Sequence, residues 1–263
     1  MIPKIIHYCW FGNAEKPELV KKCMASWKKN CPDFEIIEWN EDNFNIEICD
    51  YVREAYSEKK WAFISDYARH YVLNKYGGIY LDTDVELLKP LDTFLVTNFV
   101  ALENADSIAT GLIMGCEKQN WFCQRMLNEY NNDHFITTGI RKDPLTVCER
   151  TTRIFTDEGF IHADKIQKVS GFTIFPTEYF CPVNPITYEQ KITKNTVSIH
   201  HYGGSWCPPE QKEYLELRAI YARKYPRAVA STIAFFLIEK KNKGITVGFI
   251  NTIKQIFVYC MGK

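Results

Sequence analysis

Ile2-Pro3-Lys4-Ile5-Ile6-His7-Tyr8-Cys9-Trp10 opens the chain as a β-rich, nearly all-apolar run, and the stretch from there to Trp39 decides the fold. Phe11-Gly12-Asn13 reads as a turn, and Pro17 suits the first position of a helix, where its missing N–H costs nothing. That helix is expected to run to about Asn30, with Leu19, Cys23 and Trp27 at i, i+4 and i+8 forming one core-facing stripe. Cys31-Pro32-Asp33 stops it, and Phe34 to Trp39 reads as a second strand. A β-α-β opening favours parallel strands joined by a right-handed crossover, hence an α/β sheet.

Further along, Glu58 to Tyr76 reads as one long helix ended by Gly77-Gly78. Ile79-Tyr80-Leu81 then forms a short strand that delivers Asp82-Thr83-Asp84 to its carboxyl end, the edge of an open α/β sheet at which ligands gather. More strands are expected near 99–103, 111–115, 169–175 and 197–201, and helices near 119–130, 143–156 and 209–224.

Composition excludes several classes. The 263 residues are 46% hydrophobic and 24% charged, ordinary for a packed protein, and 32 basic side chains balance 32 acidic ones, so no global field favours nucleic acid. Ten cysteines stand singly without metal-type spacing and read as small buried hydrophobes in a reducing compartment. The N-terminus lacks signal-peptide character and no apolar run reaches the roughly 20 residues that span a bilayer, so a cytoplasmic location is expected. The balanced charge hides an asymmetry, because Arg218 to Lys263 holds nine basic residues and one acid, Glu239.

Asp82-x-Asp84 by itself is weak, since about one such pair is expected by chance in a chain this long. Its position on a strand-ending turn strengthens it: two converging carboxylates suit a hard divalent cation that completes its shell with substrate phosphates. Asp66 and Arg69 share one helix face, either as a local ion pair or as part of the same sheet-edge site. In Ser198-Ile199-His200-His201-Tyr202-Gly203-Gly204-Ser205-Trp206, alternation lets only one histidine face a given site. The plain reading is one exposed and one core histidine, and the other is a metal ligand.

Four blocks, namely Ile2 to Gly12, Ala62-Phe63-Ile64-Ser65-Asp66-Tyr67-Ala68-Arg69, Tyr76 to Glu86 and His200-His201 to Trp206, together resemble glycosyltransferase family 32 of the capsular-polysaccharide type. The likeness covers roughly residues 1–210 and extends more distantly to the glucosyltransferase domain of the large clostridial cytotoxins. It implies a GT-A fold, a Rossmann-like mixed sheet flanked by helices, with a nucleotide-sugar donor, Mn²⁺ or Mg²⁺, and retention at the anomeric carbon. By position, the resemblance makes Asp84 the direct metal ligand and His201 a further one. It places Asp82 on the ribose and donor sugar, Asp66 and Arg69 on the sugar and diphosphate, and Tyr80 and Trp10 beside the nucleotide. Gly204 and Trp206 would close over the β-phosphate and sugar.

Two other readings compete. An aspartyl-phosphate hydrolase also opens on Asp-x-Asp after a strand, although Glu86 stands where that pattern wants Thr or Val. A carbohydrate- or metal-binding module without turnover would use the same carboxylates. For the glycosyltransferase, the expected organisation is a catalytic domain over 1–217 and a basic, apolar helical extension over 218–263. The expected partners are a UDP-linked hexose donor and a saccharide acceptor, lipid-linked in bacterial surface-polysaccharide synthesis. The extension would lie on the inner membrane surface as a peripheral anchor, or pack on the body or in a homodimer.

Overall fold

In the computed structural model, Ile5–Cys9 (β1) and Glu35–Trp39 (β2) run parallel in register from Ile5–Glu35 to Cys9–Trp39, and Glu18–Asn30 (α1) crosses between them. The structure describes residues 1–136, 145–204, 209–248 and 250–252. Pro17 is the N-cap of α1, just ahead of the first helical residue. The helix expected over 58–76 is Trp61–Tyr76 (α3), beginning three residues later, and it is preceded by a helix the sequence reading did not expect, Asp50–Ser57 (α2). Lys59, in the left-handed region at φ 55°, turns the chain between them.

Gly78–Tyr80 (β3) follows, parallel to β1, and Val85–Leu87 (β4) leaves the main sheet. Next come Asn98–Asn104 (β5), Ser107–Ile108 (β6), Met114–Cys116 (β7), Trp121–Asn131 (α4) and Val147–Asp157 (α5). The strand expected over 169–175 is a hairpin, Gln167–Val169 (β8) and Phe172–Phe175 (β9), turned by Ser170 and Gly171 at φ 45° and 82°. Thr177–Phe180 (α6) and Ser198–His200 (β10) complete the first unit. The main sheet has the order β2-β1-β3-β7-β5-β9-β8, with β6 on β5, and mixes parallel and antiparallel neighbours. This is the α/β class expected, a mixed sheet flanked by helices, and it matches what a GT-A fold requires.

Strand alternation divides the core in two. Ile6, Tyr8, Ile79, Leu81, Phe99 and Ala101 pack with Cys23 and Trp27 of α1 and Phe180 of α6. Cys9, Tyr80, Val100, Leu102 and Met114 face the opposite way, into Tyr51, Ile64, Phe122, Met126 and Phe155 of α2 to α5. Trp27 is fully buried and its Nε1 donates to the Val85 carbonyl at 2.7 Å, which ties α1 to β4. The eight described cysteines are free thiols.

The chain divides into two units, one of residues 1–182 with 191–203 and the other of 183–190 with 204–263. Pro209–Ala222 (α7) and Arg227–Lys243 (α8) belong to the second, so the expected boundary at 217/218 falls inside α7. In that unit Ala219, Ala230 and Ala234 are buried, and an added methyl at Gly248 would stand 2.8 Å from the Lys240 nitrogen, so the backbone at residue 248 lies close against α8. None of the helices searched is long and apolar enough to cross a membrane.

Candidate active site

The parallel register pairing His7 with Tyr80 puts the ends of β1 and β3, and with them Trp10 and Asp82, at one edge of the sheet. The chain turns sharply after Leu81: the Asp82 N–H donates to the Gly111 carbonyl at 2.8 Å, and the Val85 N–H donates back to the Asp82 carbonyl at 3.1 Å. Both carboxylates thereby sit, half-buried, on a turn between β3 and β4.

α3 brings Asp66 and Arg69 to the same edge. Arg69 is 3% exposed, lies 4.9 Å above the Tyr80 ring, and pairs with Asp66 at 3.0 Å and Asp82 at 3.1 Å. A buried guanidinium without partners would be very costly, and two carboxylates compensate it here. Burial pushes the Asp66 carboxyl up to about 7, with the Arg69 charge opposing and Asp82 adding to the rise. Tyr80 is 1% exposed, so it acts as the floor under Arg69 and has no free face for a nucleotide.

β10 supplies the other wall. It pairs antiparallel with β4, His200 opposite Val85, which places residues 200–203 around Asp84. The His201 N–H donates to the Asp84 carbonyl at 3.0 Å, the Gly203 N–H donates to Asp84 Oδ2 at 2.8 Å, and His200 Nε2 lies 3.3 Å from Oδ1. Burial works against ionising Asp84, yet the neighbouring His200 charge and the hydrogen bonds from His200 and Gly203 hold its carboxyl down to about 2. Asp82, Asp84 and His200 offer ligand atoms that all lie within 4.8 Å of one another, and His200 Nδ1 is buried without a hydrogen-bond partner. This oxygen-and-imidazole donor set fits a Mn²⁺-class ion.

The histidine beside Asp84 is therefore His200. His201, the one expected, turns to Glu86, with Nε2 2.8 Å from a carboxylate that Lys22 also holds at 2.7 Å. Alternation along β10 is obeyed, but Asp84 lies in the turn before β4 and its side chain does not follow the parity of Glu86. Trp10 is half-buried, its Nε1 donating to the Ala14 carbonyl at 2.7 Å and its ring 5.5 Å from the Lys16 ammonium. Gly204 falls in the second unit with φ 56°, and Trp206 lies outside the described residues.

Sequence reasoning missed Gly111 and the Tyr202 anchor. A methyl on Gly111 would stand 2.0 Å from Asp82 Oδ2, so only glycine leaves the carboxylate where it meets Arg69. Tyr202, at φ 50°, has its ring 4.4 Å from the His200 ring and tilted 49° to it, and its hydroxyl lies 3.2 Å from Cys181 Sγ. Nothing local in the sequence marks Gly111 or the contact of Tyr202 with Cys181, because Asp82 and Cys181 are remote from them in the chain.

With this geometry in view, residues 17–101 can be compared with known proteins. They match the model of the glycosyltransferase sugar-binding region containing a DXD motif. Asp82-Thr83-Asp84 is the motif in question. Two curated relatives from Schizosaccharomyces pombe are similar over this part: inositol phosphoceramide mannosyltransferase 3, 33% identical over 106 residues, and inositol phosphoceramide mannosyltransferase 1, 30% identical over 105. Each match takes in 36% of this chain but only 27% and 31% of the relative. The chain thus spans about a third or less of those proteins. A solved glycosyltransferase involved in glycosylating the major capsid of PBCV-1 aligns over 88% of this chain and 99% of its own, at 10% identity and a TM-score of 0.42. The resemblance read from the sequence agrees with the family match.

Proposed function

We propose that the protein transfers a hexose, with retention, from a nucleoside-diphosphate sugar to a saccharide acceptor. The observation that carries this reading is the convergence of Asp82, Asp84, His200 and the doubly paired Arg69 at the carboxyl edge of β3, inside a region matched to DXD glycosyltransferases. Asp82, Asp84 and His200 would hold a divalent cation, Mn²⁺ or Mg²⁺. Such an ion supplies positive charge against a diphosphate leaving group.

The chain's own residues do the rest. Arg69 is preorganised by Asp66, Asp82 and the Tyr80 ring, so it meets the charge developing on the departing diphosphate with little reorganisation. Asp82, 31% exposed, is the carboxylate able to accept hydrogen bonds from donor hydroxyls. Asp66 and Asp82 are engaged by Arg69, and Asp84 by His200 and the Gly203 N–H. None of the three is left to attack the sugar, which favours front-face attack by the acceptor hydroxyl on an oxocarbenium-like centre over a covalent intermediate. Trp10, at the same edge, is the surface for the base.

A UDP-linked hexose is the first donor to test, and a mannosyl donor the second, given the names of the relatives. The acceptor is taken to be a lipid-linked saccharide of a bacterial surface polymer. The test is nucleotide release from a panel of UDP- and GDP-hexoses with Mn²⁺, with and without chelator. Metal-dependent release from one donor supports the reading. Release from none, or hydrolysis of simple phosphate esters instead, overturns it.

A further inference from the structure

We infer that the tip of the helical hairpin formed by α7 and α8 is a docking surface for an anionic lipid bilayer. Between Glu216 and Glu239 the chain has no acid and four basic residues, Arg218, Arg223, Lys224 and Arg227. The connection itself is an ordered turn, with the Lys224 and Tyr225 N–H groups donating to the Tyr221 carbonyl at 3.0 and 2.9 Å and Pro226 capping α8. On it and on the adjoining turns of α7 and α8, Tyr225, Ile220 and Val229 are 47%, 55% and 44% exposed, large side chains that a fold burying its own apolar surface would cover.

Arg223, Lys224 and Arg227 are exposed among them, and neither Lys224 nor Arg227 forms an ion pair among the described residues. The unit's other cations are partly spent, Lys241 on Glu213 at 2.7 Å and Lys243 on Glu239 at 3.0 Å. The tip therefore combines three unsatisfied apolar side chains with a cationic field that nothing in its own segment neutralises. Aliphatic anchors, a tyrosine with an apolar ring and a polar end, and flanking Lys and Arg are what the interfacial zone of an anionic leaflet accommodates. A protein partner would need a matching acidic and apolar face. The lipid surface supplies both by composition.

The inference goes beyond the glycosyl-transfer reading and can fail separately from it. The experiment is co-sedimentation of the full chain with phosphatidylcholine vesicles with or without 30% phosphatidylserine, at low and high salt. Wild type is expected to sediment with the anionic vesicles only, and less at high salt. K224E/R227E should weaken this by at least ~30-fold, I220S/V229S by about 10-fold, with thermal melting and nucleotide release unchanged. Should the charge reversal unfold the chain, K224Q/R227Q gives the same comparison. Equal sedimentation with neutral vesicles, none with anionic vesicles, or full binding by the folded variants overturns the inference. A dimer in sedimentation velocity that the same substitutions dissociate, without vesicle binding by wild type, would make the tip a subunit contact.

Discussion

Replacing Gly111 with alanine should disable the site while sparing the fold. The added methyl would lie 2.0 Å from Asp82 Oδ2, 2.9 Å from its Cγ and 3.3 Å from Arg69 Nη1. Gly111 is not among the positive-φ glycines, so its backbone accepts alanine and the effect is purely steric. The cheapest response is for the Asp82 carboxylate, already 31% exposed, to swing toward solvent. That breaks its 3.1 Å pair with Arg69, while Asp66 still holds the guanidinium at 3.0 Å. A charge-assisted hydrogen bond is worth about 1.5–3 kcal/mol. Lost from the transition state, that is roughly a 10- to 100-fold drop in kcat/KM. The assay is steady-state nucleotide release from the donor that wild type turns over, beside a thermal melt. Activity within threefold of wild type in a folded G111A protein would refute the idea that Asp82 must stand against Arg69.

Arg69→Ala should lose at least ~100-fold in kcat/KM, and Arg69→Lys should not restore it, since an ammonium cannot bridge two carboxylates as a planar fork does; near-wild-type kinetics in either would reduce Arg69 to a helix ion pair. His200→Ala should weaken Mn²⁺ binding about 10-fold or more in a calorimetric titration, and His201→Ala much less, because His201 faces Glu86. Burial pushes the His7 imidazole down to about 4, its Nε2 against the Gly77 carbonyl and its Nδ1 accepting from Trp39 Nε1. The unfolded chain thus binds the extra proton first, and stability should fall by about 2–3 kcal/mol as pH drops from 7 to 4.5. His7→Gln should flatten that part of the urea-midpoint profile, and an unchanged slope would exclude His7 as its source.

Much of the fold was legible because its signals are local. The stripe of Cys23 and Trp27, the run from Ile5 to Cys9 and the turn after Leu81 each follow from side-chain periodicity within a few residues. α2 and the start of α3 at Trp61 were not, since Lys59 adopts a left-handed turn that lysine does not advertise. The β8–β9 hairpin turns on Ser170-Gly171, a dipeptide that does signal a turn, yet the apolar residues on both sides read as one strand. At the site, Asp66, Arg69, Asp82 and Asp84 were found from spacing and resemblance, and the structure brings them to one edge. The choice between His200 and His201 depended on how Asp84 leaves its turn, which no periodicity encodes. Gly111 was invisible for a similar reason: what requires glycine there is a carboxylate 29 positions earlier in the chain.

The most direct test of the account is a Mn²⁺ titration followed by electron paramagnetic resonance, in the presence of UDP, on wild type and Asp84→Asn side by side. The account predicts one bound Mn²⁺ per chain in wild type and affinity at least ~100-fold weaker in Asp84→Asn, because a ligand charge is lost at the centre of the Asp82, Asp84 and His200 set. Equal Mn²⁺ binding by the two proteins, or glycosyl transfer that persists in excess chelator, would contradict it.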